Sequence, residues 1–198
     1  MWNCAKTTRP SNPTGFSNSR PDRSIPLDLR HIIRDVPDFP KPGILFKDIT
    51  PVMENPAAFR AALDGMEGLL GEVEFDALCA IESRGFIFGA PMGLDLDKRL
   101  VLMRKAGKLP AETRAVTYDL EYGQATLEMH VDSLKQGDRV IIVDDLLATG
   151  GTAVAAAQLV ADAGGIVAGF LFMVELEFLT GRAKLEGLGP VFSLVNYS

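Results

Sequence analysis

Cysteine is nearly missing from this chain of 198 residues, which holds only Cys4 and Cys79. Two thiols cannot build a disulfide framework or a zinc site. Cys79 lies in an apolar run and reads as a small buried residue, so the composition fits a reducing cytoplasm. No apolar stretch approaches the ~20 residues that a membrane-spanning helix needs, so no membrane partner is expected. Positive charge is in deficit. A net charge of −6 argues against a general nucleic-acid binder, whose affinity comes from neutralising phosphates. Neither Gly-x-x-x-x-Gly-Lys-Ser/Thr nor Gly-x-Gly-x-x-Gly after a strand occurs, which removes two familiar nucleotide-binding loops. Apolar residues, by contrast, are plentiful. At 47% hydrophobic, a chain of this length supports one globular domain with a sizeable core.

Residues 1–24 stand apart from the rest. Rich in Pro, Ser, Asn, Thr and Arg and without hydrophobic periodicity, they read as a disordered or non-native tail ahead of a single domain at 25–198. Lys6, Arg9, Arg20 and Arg23 set against Asp22 weakly resemble an organellar transit segment, and the plain tail is the preferred reading.

The domain is organised around Val140-Ile-Ile-Val-Asp-Asp-Leu-Leu-Ala-Thr-Gly-Gly-Thr152. Four β-branched residues, 140–143, predict a strand buried on both faces that ends in Asp144 and Asp145. A loop, 148–152, and an alanine-rich helix over 153–163 follow. Beyond the carboxyl end of a parallel strand lies the usual ligand crevice of an open α/β sheet. Glycines there let backbone N–H groups approach a phosphate at a helix N-terminus. Two carboxylates beside a phosphate cradle repel the phosphate unless they meet hydroxyls or a metal ion. A ribose with a 5-phosphate supplies the hydroxyls, and Mg²⁺ can bridge to a second phosphate group. The plainer alternative is a strand-to-helix turn with both acids solvated.

Around this motif the chain alternates strands and helices. Residues 27–36 carry apolar residues at a helical period, with His31 beside the apolar face as a surface or packing residue. Residues 36–51 hold four prolines and a glycine among Phe39, Ile44, Leu45, Phe46 and Ile49, which forbids regular helix. Such a segment fits a hood over a flat ring as well as an arm packed on the core. A helix is predicted over 56–70 and a buried strand over 77–81. The strand runs into Glu82-Ser-Arg-Gly-Phe86 and a helix through Leu96. Arg84 there suits bidentate phosphate contact, or is an ordinary arginine in a surface turn. After a short strand at 100–103, Arg104, Lys105 and Lys108 form the clearest positive patch, either a screen for a leaving anion or a solvated basic turn. Residues onward to Thr117 fit a lid that excludes water. Strands at 117–121 and 125–131 read as a hairpin, with His130 exposed at its end. Gly164-Gly165 is expected to cap the helix in the left-handed region. A buried strand over 166–174, a short helix-like link over 181–185 and a final strand over 191–195 complete the domain.

Val143-Asp-Asp-Leu-Leu-Ala-Thr-Gly-Gly-Thr152 resembles the phosphoribosyl-pyrophosphate (PRPP) motif of type I phosphoribosyltransferases, and its wording is nearest to the adenine phosphoribosyltransferases. Leu120-Glu-Tyr-Gly123 and the proline-rich segment are similar to further signatures of that group, so the likeness runs from about Val36 to the C-terminus. The resemblance implies an α/β type I phosphoribosyltransferase fold. A central, mostly parallel sheet would be flanked by helices, with an N-terminal hood at 36–51 and a flexible hairpin over the site. It implies transfer of a 5-phosphoribosyl group from PRPP to adenine in purine salvage, giving AMP and pyrophosphate with Mg²⁺. PRPP would meet Ser83, Arg84, Arg104, Lys105, Lys108, Asp144, Asp145, Ala148, Thr149, Gly150, Gly151 and Thr152. Some of the cations would reach across a homodimer interface. Adenine would meet the backbone of Leu45 and Lys47, with Glu82 and Tyr122 nearby, and Glu121 would transfer the proton at the purine. No direct protein ligand set for the metal is implied; Mg²⁺ would be held mainly by PRPP and water near Asp144 and Asp145. Three alternatives stay open: the same fold serving another base, a non-enzymatic PRPP-responsive regulator, and an interaction protein that has lost its chemistry.

Overall fold

Near-continuous apolar runs build the strands at the middle of the molecule. A computed structural model describes residues 28–119 and 123–198. In it β3 (Ala77–Ile81), β4 (Arg99–Lys105), β7 (Arg139–Leu147), β8 (Ile166–Leu176) and β9 (Val191–Tyr197) form a parallel array. An antiparallel hairpin, β5 (Thr113–Asp119) and β6 (Gln124–His130), extends one edge. The order across the seven-stranded sheet is β5-β6-β4-β3-β7-β8-β9. Every residue of β3 is buried, as expected of a strand with parallel partners on both sides and helices over both faces.

Period-two alternation divides the core between the faces. On one face Leu78, Ile141, Val143, Leu171 and Met173 pack against Leu63 and Met66 of α2 (Pro56–Leu70) and Phe88 and Met92 of α3 (Gly85–Asp95). On the other face Ala77, Cys79, Ile142, Phe170 and Phe172 meet Ala153, Ala156 and Leu159 of α4 (Gly151–Asp162). Asn55 caps α2 by accepting from the Ala57 and Ala58 N–H groups at 3.0 and 3.2 Å. Gly164, at φ +79°, closes α4; its N–H reaches Ala161 O at 2.9 Å and that of Gly165 reaches Val160 O at 2.9 Å.

Several sequence expectations need correcting. The predicted helix over 27–36 is a 3₁₀ turn, Leu29–His31, followed by β1 (Arg34–Pro37). β1 pairs with β2 (Leu45–Asp48), and that long-range pairing overrides the local helical period. The proline-rich segment therefore contains a strand, and it leads into α1 (Thr50–Glu54). β7 does not stop at its acids but runs to Leu147, because β8 offers partners to Leu146 and Leu147. The supposed lid is a loop only over residues 106–112, and from Thr113 onward it is strand β5. His31 is exposed as read, whereas His130 is half-buried and its Nε2 accepts from the Ala111 N–H at 3.4 Å. The readings of residues 1–24, Leu120, Glu121 and Tyr122 lie outside the described residues. Among the described residues no helix is long and apolar enough to cross a membrane.

Candidate active site

Three strand ends converge on one cleft. The C-terminal ends of β3, β4 and β7 bring Glu82, Ser83, Arg84, Lys105, Asp144, Asp145 and Thr152 around a cavity of about 480 Å³. Beside it a second hollow of about 90 Å³ is lined by residues 146–153, Asp144 and Phe172. The smaller hollow sits at the start of α4, where unsatisfied backbone N–H groups favour an anion. Gly150, at φ +79°, makes the turn into that helix, in a region that a β-carbon would strain.

Electrostatics separate the groups in the larger cleft. Arg84 Nε lies 2.8 Å from Asp145 Oδ2. The approach needs Gly85, since a β-carbon there would stand 2.7 Å from Val143 O and hold α3 away from β7. Asp144 has no such cation. Its Oδ1 accepts from the Asp145 N–H at 2.9 Å. Burial, and then the charge of Asp145, push the Asp144 carboxyl well above its ordinary pKa. Burial also pushes Asp145 up, with the Arg84 guanidinium pulling it back. The two carboxyls titrate as a pair, with Arg84 favouring the charged form of Asp145. Such acids suit ligand hydroxyls or a cation.

The basic patch has an anchor within the cleft. Glu82 accepts from Arg104 Nε at 3.2 Å and from the Lys105 N–H at 3.0 Å, and Lys108 Nζ completes the set. Burial alone would raise the Glu82 pKa. The Lys108 and Lys105 donors, with the charges of Lys108 and Arg104, outweigh it and hold the carboxyl below its usual range. Arg104 and Lys108 are thereby tied down, and Lys105 is left facing the cavity. No group of three or more His, Cys, Asp and Glu side chains converges among the described residues. A cation at Asp144 and Asp145 would therefore complete its shell with substrate oxygens and water, a mode that suits Mg²⁺.

Most of the expected PRPP contacts thus come together: Ser83, Arg84, Lys105, Asp144 and Asp145 in the cleft, and 148–152 in the adjoining cradle. Leu45 and Lys47 do not line either cavity. Both lie on β2, which pairs only with β1, so its other backbone edge is unpaired among the described residues. The Lys47 side chain turns away to Asp35, at 2.5 Å, and over the Tyr197 ring, 4.1 Å from its centroid. Tyr118 is a cleft residue that sequence reasoning missed. Its hydroxyl accepts from Thr152 Oγ1 at 3.2 Å, joining β5 to the first turn of α4. The signal was present in the alternation of Val116 and Tyr118, which places both on the covered face of β5.

Known proteins agree with this geometry. The family model described as "Phosphoribosyl transferase domain" matches residues 52–175. The adenine phosphoribosyltransferase of Kosmotoga olearia is 52% identical over 171 residues, covering 86% of this chain and 100% of that protein. The crystal structure of the Thermoanaerobacter pseudethanolicus adenine phosphoribosyltransferase superposes with a TM-score of 0.83 at 50% identity, over 85% of this chain and 98% of that one. The Saccharomyces cerevisiae enzyme, solved with an imino-altritol bisphosphate and adenine, gives 0.79 at 42% identity, over 84% and 96% of the two chains. With strand-end acids, phosphate cradle and near-complete overlap in agreement, the chain belongs to the adenine phosphoribosyltransferase family of type I phosphoribosyltransferases.

Proposed function

We infer that the protein transfers the 5-phosphoribosyl group of PRPP to adenine, giving AMP and pyrophosphate, in purine salvage. The observation that carries this is the juxtaposition at the end of β7. A phosphate-sized hollow at a helix start adjoins two buried acids, which adjoin a cleft edged by Arg84 and Lys105. The 5-phosphate takes the backbone N–H groups of 148–152, and the ribose hydroxyls donate to Asp144 and Asp145. This fixes the ribose C1 in line with the incoming base, an orientational gain. As the C1–oxygen bond breaks, negative charge grows on pyrophosphate, and Arg84 and Lys105 stabilise it where water is excluded. Glu82 keeps the charges of Arg104 and Lys108 beside that position. Asp144 and Asp145 would hold Mg²⁺ through water, and the ion would supply further positive charge to the phosphate. The free edge of β2 at Leu45 and Lys47 reads adenine through the backbone, and the resemblance assigns Tyr122 to adenine binding and Glu121 to the proton at the purine. These last roles rest on resemblance, as does an adenine contact by Glu82, whose carboxylate already serves the cations.

A homodimer is part of the same proposal. Leu100 and Leu102 of the inner strand β4 are 36% and 38% exposed, and Ile87 and Leu94 of neighbouring α3 are 40% and 86% exposed. An apolar face on an interior strand, continuous with Arg104, fits a second copy of this chain. Cytoplasmic location fits the free, buried thiol of Cys79, whose pKa burial pushes up. Product formation from PRPP, Mg²⁺ and each of adenine, hypoxanthine, guanine, xanthine, uracil and orotate tests the reading. AMP from adenine alone is expected. No turnover of adenine, or preference for another base, overturns it.

A further inference from the structure

A buried acid outside the cleft has an unusually full set of partners. Glu175, near the end of β8, is 2% exposed. Arg182 Nε donates to its Oε1 at 2.9 Å, Arg182 Nη2 donates to Oε2, and Ser193 Oγ donates to Oε2 at 2.6 Å. The same guanidinium reaches Val191 O at 2.8 Å and Ser193 Oγ at 3.1 Å. Arg182 is thus pinned to both β8 and β9. It belongs to the 3₁₀ segment Gly181–Leu185, which follows Thr180 in the left-handed region at φ +54°. A β-branched residue held there indicates a backbone fixed by its surroundings.

What that segment touches is the phosphate cradle. A β-carbon on Gly181 would stand 2.1 Å from Ala148 O and 3.0 Å from Gly150 N. One on Gly150 would stand 2.6 Å from Gly181 O. The two turns lie backbone against backbone, with no side chain between them. Behind them Leu185 is fully buried in the cluster that also holds Ala153 and Ala156 of α4. Loops that must present N–H groups to a phosphate need a rigid backing, because an error of about 1 Å in such a loop costs orders of magnitude in rate.

We propose that Arg182 is a positioning residue for the 5-phosphate: anchored to Glu175, it presses the Gly181 backbone against the 148–150 turn and sets the shape of the cradle. The proposal rests on the transferase reading of the cleft. It assigns the Glu175–Arg182–Ser193 cluster to substrate binding rather than to stability alone.

The test uses the full chain with Gly181→Ala, the paired Glu175→Met/Arg182→Met change, and Arg182→Lys. The paired change removes both charges and so leaves neither buried alone. Arg182→Lys keeps the charge beside Glu175 but loses the planar fork that holds Val191 and Ser193. Calorimetric binding of ribose 5-phosphate is read alongside the KM for adenine at saturating PRPP. Gly181→Ala and the paired change should each bind ribose 5-phosphate about tenfold more weakly, and Arg182→Lys a few-fold more weakly, with the adenine KM unchanged. Wild-type ribose 5-phosphate affinity in any folded variant overturns the proposal, as does equal weakening toward adenine. Should the first two lose their fold, Arg182→Lys decides. If the wild type binds ribose 5-phosphate yet makes no AMP, the transferase reading fails and the binding result still judges Arg182.

Discussion

Two buried acidic sites stand at the carboxyl ends of neighbouring strands, β7 and β8, and they are built in opposite ways. Glu175 accepts from Arg182 and Ser193, and those bonds, Arg182 first, hold its carboxyl below the ordinary value. Of Asp144 and Asp145, it is Asp145 that meets a guanidinium, that of Arg84, and burial raises both carboxyls. The first site is complete within the chain. The second has one guanidinium and one backbone donor for two carboxylates, and ribose hydroxyls and a divalent cation would supply the rest. Adjacent strands thus separate a fastener from a binding site by how far their acids are satisfied.

That contrast can be broken most forcefully at Arg182. Arg182→Ala leaves Glu175 buried without its cation and should lower stability by about 2–4 kcal/mol, the range being reduced because the arginine is itself half-exposed. Urea unfolding measures it. In the wild type, Glu175 stabilises fully above its unfolded pKa and loses that contribution as pH falls through its lowered folded value. In the variant the sign reverses, so the deficit should shrink on acidification. A deficit that grows at low pH would show that Glu175 is not the group left stranded.

At the other site the same kind of truncation should spare the fold and abolish use of the substrate. Asp144→Ala and Asp145→Ala are each expected to lower kcat/KM for PRPP by about a hundredfold or more, without loss of melting temperature. Unchanged PRPP kinetics in both would remove the ribose from these acids.

The gentlest change sharpens the comparison. Asp144→Asn keeps the acceptor for the Asp145 N–H and removes a raised carboxyl, and should raise the melting temperature by about 2–4 °C, the yield of roughly 1 kcal/mol in a chain of this size. The sign follows from linkage. A folded pKa above the unfolded one gives stability that is present below the unfolded value and lost as pH rises through the folded value. The free wild-type protein should therefore lose stability over that rise, while its affinity for ribose 5-phosphate increases. Melting curves against pH should flatten in Asp144→Asn; an unaltered slope would place the raised pKa elsewhere.

Much of this was legible in the chain because it is local. The helix Pro56–Leu70 and the strand Ala77–Ile81 match their predicted bounds, since a proline at the first turn, one apolar helix side and an unbroken apolar run are signals within one segment. The cradle was legible for the same reason. The end of β7 was not, because Leu146 and Leu147 are strand only through their partners Val174 and Glu175 on β8. The segment at 34–37 follows β2 rather than its own helical period. Glu82 could be placed near the site, but its grip on Arg104 and Lys108 depends on β3 lying beside β4. Glu175 and Arg182 are seven residues apart across a turn, a spacing with no local pattern to betray it.

The place of β7 between β3 and β8 also governs how the protein can be made. Its two neighbours, β3 and β8, come from residues 77–81 and 166–176, so the sheet closes only through contacts distant in sequence. A ribosome emits β3, β4 and the hairpin well before β7, and during that interval the fully apolar β3 has an open edge. Folding should accordingly be slow, as parallel, long-range pairing demands, and the nascent chain most prone to self-association just before residue 139 emerges. The strand that carries the chemistry is also the one for which the rest of the sheet must wait.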